Sequence, residues 1–201
     1  MKLRLIVLLS IFTIAPCMAS DLIERTNSAA APNATLMQNL KRGASIKSNN
    51  QTYQYLPEVR AVLRKSDSED TQQLLQNVGV ETSQYIETKG KYIVYRGMQS
   101  PTAQIDNMQS NGSFPAVMNE NTKVIGILPG TIEVKPRSMS DVAGLASAFG
   151  LSVVREFAHL KVVYFQVKPG QDVLGISAAL AADSRVLSAE LEVIEYLQEA
   201  N

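Results

Sequence analysis

Apolar and polar positions change rhythm several times along this chain, and the clearest stretch runs from 131 to 194. Thr131-Ile132-Glu133-Val134-Lys135 alternates as a half-buried strand does. Beyond it Val142, Leu145, Ala146 and Phe149 recur at i, i+3, i+4 and i+7, the stripe of an amphipathic helix. Ser140 is the expected amino-terminal cap and Gly150 the left-handed stop. Leu151–Phe157 and Leu160–Val167 read as the next two strands, the second setting Val163, Phe165 and Val167 against Val162, Tyr164 and Gln166. Pro169-Gly170 turns the chain, and Asp172 is placed to cap a second helix presenting Val173, Ile176 and Leu180, with Leu174 on its flank. In Val186–Ile194, Leu187, Ala189, Leu191 and Val193 share one face, while Ser188, Glu190, Glu192 and Ile194 share the other. This order predicts an α+β chain ending in a ferredoxin-like βαββαβ module. Both helices should cover one side of an antiparallel sheet and leave the opposite side free as a docking surface.

Upstream the rhythm is less regular. Residues 20–52 are rich in Ser, Ala, Asn and Gln and show one short helix-like patch at Leu36–Leu40, so a flexible leader is expected there. From Tyr53 to Leu63 the apolar positions Leu56, Val59, Ala61, Val62 and Leu63, with Pro57 suited to a first turn, predict a helix. A second helix is expected over Glu69–Val78, stopped by Gly79. Tyr85–Tyr95, with a Gly-bearing turn, reads as a hairpin. Phe114–Met118 and Val124–Leu128 read as another. Pro129-Gly130 marks the junction, so 53–128 is expected to be a smaller mixed α+β domain and 129–195 the βαββαβ module. Residues 196–201 form a tail.

The start of the chain places it in a compartment. Lys2 and Arg4 precede an apolar run from Leu5 to Ile14, and Cys17-Met18-Ala19 supplies a small-residue exit: the pattern of a secretory signal over 1–19, cut after Ala19. A lipoprotein anchored at Cys17 is the alternative, which Pro16 fits poorly. The protein is therefore expected in the periplasm or outside the cell, with no membrane attachment after cleavage. Removal of 1–19 takes the only Cys with it, so neither disulfides nor thiolate metal sites are expected. The whole chain carries 19 basic and 19 acidic side chains, and the cut leaves a slight acidic excess, with none of the basic footprint nucleic acid demands.

Candidate chemistry narrows little further. His159 is the one His, and its place between Ala158 and Leu160 suits a turn better than catalysis. Gly-rich phosphate loops and H-E-x-x-H patterns are missing, and Asp67, Glu69 and Asp70 lack the spacing of a calcium loop. No enzyme, cofactor or metal site is expected.

Four blocks in order carry a likeness: Gly130–Pro136, Leu145–Gly150, Val167–Val173 and Ala179–Val186. They resemble the successive blocks of subtilisin propeptide-like domains, over about a third of the chain. The arrangement of signal, extra amino-terminal domain and propeptide-like module resembles the external chaperones of kexin-like serine proteases of Gram-negative bacteria. The resemblance implies a chaperone and inhibitor of a secreted subtilase-type protease, docking by its open sheet face. It also implies that Glu190 and Glu192 meet the amino ends of two protease helices, where unpaired N–H groups and a partial positive charge reward each carboxylate by roughly 0.3–1 kcal/mol. Tyr196, Leu197, Gln198, Glu199, Ala200 and Asn201 would then lie along the substrate cleft as an added strand. The usual propeptide end would fall near Gln198, and this tail offers no basic residue for a kexin-like specificity pocket. The alternatives are a solvated acidic pair with a frayed terminus, and a periplasmic scaffold or binding protein that shares the fold without a protease partner.

Overall fold

The computed structural model describes residues 34–37, 39–66, 68–97 and 112–195. The expected signal peptide over 1–19 and the tail over 196–201 lie outside the described residues. The fold is α+β, with two antiparallel sheets.

A thirteen-residue strand, β2 (Gln51–Leu63), organises the first sheet. Short helix α1 (Ala34–Met37) precedes it, and β1 (Ser45–Ser48) pairs with its first half through a tight turn. Asn49 (φ 49°) and Asn50 (φ 60°) both take positive φ, the conformation a two-residue hairpin turn needs and Asn tolerates. The stretch from 45 to 52, expected in a flexible leader, is thus hairpin. The helix expected over 53–63 is strand. Its apolar positions recur about every third residue because both faces are buried and the pairing with the next strand shifts between Leu56 and Arg60. Pro57, with no N–H to give a ladder, sits at that irregularity.

Helix α2 (Thr71–Asn77) follows, then the hairpin β3 (Tyr85–Lys89) and β4 (Tyr92–Arg96), then β5 (Ser113–Asn119) and β6 (Ile125–Ile127). These four strands follow the expected positions. Sheet order is β3-β4-β2-β5-β6, with β1 alongside β2. The acidic run near 70 serves the backbone: Asp70 accepts from the Gln72 and Gln73 amides at the start of α2, and Glu69 from the Lys65 amide.

The second sheet contains β7 (Thr131–Pro136), β8 (Ser152–Phe157), β9 (Val162–Gln166) and β10 (Val186–Leu191), in the order β10-β7-β9-β8. That order is the ferredoxin-like one. Helices α3 (Val142–Phe149) and α4 (Val173–Ala182) pack Val142, Leu145, Val173 and Leu180 against Ile132, Val134, Val163 and Phe165. Ser138, rather than the expected Ser140, caps this region, because a 3-10 turn over Met139–Asp141 precedes α3 and the Ser138 side chain accepts from the Ser140 amide. Gly150 ends α3 at φ 65°, and Asp172 caps α4 by accepting from the Gly175 amide at 3.0 Å.

Alternation fails once in β10. A bulge between Val186 and Ser188 buries Val186 and turns Leu187, expected on the apolar face, outward to 59% exposure. The buried cluster of this module also contains Ile46, Tyr53, Tyr55, Val117 and Leu128, so the two sheets share one core.

Candidate functional site

The face of the second sheet opposite α3 and α4 is built by register. Glu190 pairs with Glu133 across β10 and β7, Glu133 with Tyr164 across β7 and β9, and Tyr164 with Arg155 across β9 and β8. Since Ile132 and Val134 point to the helices, this row points away from them. The Tyr164 hydroxyl donates to Glu133 at 2.7 Å, the Arg155 guanidinium lies 4.2 Å from the Tyr164 ring centre, and Phe157 meets that ring edge-on at 6.1 Å. Burial, then the hydrogen bond to Glu133, pushes the Tyr164 phenol up to about 12.

Strand β8 is exposed along its whole length and forms the sheet's outer edge. Val153, Val154, Phe157 and Leu160 stand out as exposed large apolar side chains beside it.

Glu190 and Glu192 both reach this face, and each already has a partner within the chain. The Glu192 carboxylate meets Arg155 at 2.6 Å, a half-exposed pair that spans the sheet. Glu190 accepts from the Asn49 backbone amide at 2.6 Å, at the tip of the β1–β2 hairpin. The face is therefore not wholly free, as the sequence suggested, but walled along β10 by the first sheet. Tyr92 of β4 also stands near enough that the Glu192 charge, after burial itself, raises its phenol. The wall has a physical cause: β10 is an edge strand, and its apolar Leu191, with Val193 just beyond it, finds cover in the core shared with the first sheet.

Past Glu192, whose amide still donates to the Thr131 carbonyl of β7, the chain leaves the second sheet and joins the first. Ile194 exchanges both backbone hydrogen bonds with Ile127 of β6, at 2.9 and 3.0 Å. Tyr196, Leu197, Gln198, Glu199, Ala200 and Asn201, the expected cleft-binding tail, lie outside the described residues. His159 is exposed in a 3-10 turn over Ala158–Leu160. Among the described residues no group of His, Cys, Asp or Glu is arranged to hold a metal ion, and no helix is long and apolar enough to cross a membrane.

Sequence reasoning missed Arg155, Tyr164, Glu133 and Asn49. Tyr164 and Glu133 were visible as the polar phase of alternating strands, but Arg155 could not be assigned a face, because the pairing of β8 shifts between Val153 and Arg155. Asn49 belongs to a hairpin read as leader.

Comparison with known proteins places the chain in context. The family described as open reading frame 2 N-terminal domain matches residues 27–200. Among solved structures the chain is similar to one in "Crystal structure of aeromonas sobria serine protease (ASP) and the chaperone (ORF2) complex", at 19% identity and a TM-score of 0.37, covering 45% of this chain and 95% of that one. No curated protein matches it.

Proposed function

The chain belongs to the open reading frame 2 N-terminal domain family, and from that premise we propose that it is an exported chaperone and inhibitor of a secreted subtilase-type serine protease. The observation that carries the reading is the sheet face opposite α3 and α4, where Phe157, Tyr164, Arg155 and Glu192 form an amphipathic surface bounded by an exposed edge strand. Its four-block likeness to subtilase propeptides supplies the partner class. On this reading the protein works in the periplasm or outside the cell, where a secreted protease matures.

On this reading Glu190 and Glu192 meet the amino ends of two protease helices. The pairs they hold in the free protein oppose this only weakly. A half-exposed ion pair such as Arg155–Glu192 contributes about 0–1 kcal/mol, which a helix amino end at 0.3–1 kcal/mol, or up to roughly 2 when partly buried, offsets. Glu190 keeps a second carboxylate oxygen beyond the one facing Asn49. Subtilases carry large parallel sheets with long-range contacts, whose closure entropy precedes their reward, so a pre-folded surface that holds two helices early lowers the barrier. Preference for the native protease also stabilises it by mass action, about 2.7 kcal/mol at a hundred times the dissociation constant. Residues 196–201 then occupy the cleft and restrain the enzyme.

Inhibition of an active subtilase by the protein, compared with its truncation after Glu195, tests this reading. Loss of the tail should weaken inhibition at least about tenfold, as expected when one of two linked contacts is removed. Equal inhibition by both forms, or none by either, would refute it.

A further inference from the structure

The segment that leads into the tail is gripped more tightly than an outgoing chain requires. Consecutive residues from 190 to 195 each meet the first sheet or its hairpin, or continue the ladder. Asn49 donates its amide to Glu190, Ser48 its hydroxyl to the Leu191 carbonyl, and Glu192 its amide to Thr131 at 2.9 Å. Ile194 is bridged to Ile127. The Glu195 side chain accepts from Asn119 Nδ2 at 2.8 Å, and the Lys89 ammonium donates to the Glu195 carbonyl at 3.2 Å. Burial pushes the Tyr53 phenol up to about 12, and its hydrogen bond to Glu195 adds to that rise.

Two sequence features serve this grip. Asn119 is 2% exposed, and its carbonyl oxygen accepts the Asn121 and Thr122 amides, which aims its amide group at Glu195. Gly126 interrupts β6, where a β-branched residue would be favoured. A Cβ there would stand 2.5 Å from Val193 Cγ1 and 3.1 Å from Val117 Cγ2, so only glycine lets residues 193–195 lie flat on the β6 edge.

Resting on the function proposed above, we infer that the first sheet is a clamp for residues 193–195. Ile127, Gly126, Asn119, Tyr53 and Lys89 fix the point and direction from which residues 196–201 leave. These are positioning residues: they act on a protease only through the tail. A root held in place removes part of the ordering cost that a loose strand would meet on entering a cleft.

Three measurements decide it. In the protein alone, the Ile194 amide should exchange slowly with solvent and the Tyr53 phenol should titrate near 12. Glu195→Ala should speed that exchange at least about tenfold, since opening of the held segment governs it, and should lower the Tyr53 titration only by the hydrogen bond and charge removed, burial still holding it above 10. With a subtilase, Glu195→Ala should weaken inhibition roughly tenfold in the full chain but less than about twofold in the truncation after Glu195, the non-additivity of coupled sites. Gly126→Ala, whose Cβ would wedge against Val193 at 2.5 Å while meeting Glu195 Cγ only at an ordinary 3.6 Å contact and removing no polar group, should repeat the pattern. Unchanged exchange at Ile194, or equal losses with and without the tail, would overturn the inference. Should the unmodified protein inhibit no subtilase, the proposed function fails and Ile194 exchange alone decides the clamp.

Discussion

The two sheets of this protein solve the burial problem in opposite ways. The first wraps its neighbours around β2, whose burial alternates irregularly because both faces are covered, by α1 and the β-hairpins and by the second module. The second keeps one face under two helices and leaves much of the other to solvent. A sheet covered on both sides can only be scaffold, whereas one covered on a single side has a surface to offer. Under the proposed function the difference divides the work: the first sheet would hold, and the second present.

That division can be attacked from the core. Phe165 is fully buried beneath the helices and Leu56 fully buried in the first sheet. Phe165→Ala should cost about 3–5 kcal/mol and Leu56→Ala about 2–5 kcal/mol. Because Ile46, Tyr53, Tyr55 and Val117 belong to the same cluster as Phe165, each variant should lower a single unfolding transition seen by both halves in urea. Two separated transitions would make the sheets independent domains and dissolve the shared core.

How the two regions read from sequence follows the same contrast. In the second sheet Thr131–Lys135, Val142–Phe149 and Asp172–Leu180 follow their apolar spacing closely, since one wet face keeps the period visible. In the first, Leu56, Val59 and Val62 mimic a helical spacing, because Pro57 and a register shift break the alternation of a doubly buried strand. The candidate site divides likewise. Glu190 and Glu192 were legible as one polar face, but their partners Asn49 and Arg155 lie 141 and 37 residues away, and only folding brings such positions together.

A smaller effect sharpens the comparison at the helix ends. Asp172 caps α4 on the presenting sheet through Gly175, and Asp70 caps α2 on the holding one through Gln72 and Gln73. Each Asp→Ala change should cost about 0.5–2 kcal/mol of stability in chemical denaturation. Only Asp172→Ala should also weaken protease binding, since α4 supports β10 and its acidic face. An equal effect of both on binding would erase the distinction between the sheets.

The most direct test of the central claim is refolding. A denatured subtilase-type protease lacking its own propeptide is diluted from denaturant with and without one equivalent of this protein. Native enzyme is then counted by active-site titration after the complex is dissociated. The account predicts a yield that rises with the protein present and falls again when Glu190 and Glu192 are both replaced by Ala. Equal yields with and without the protein would contradict it.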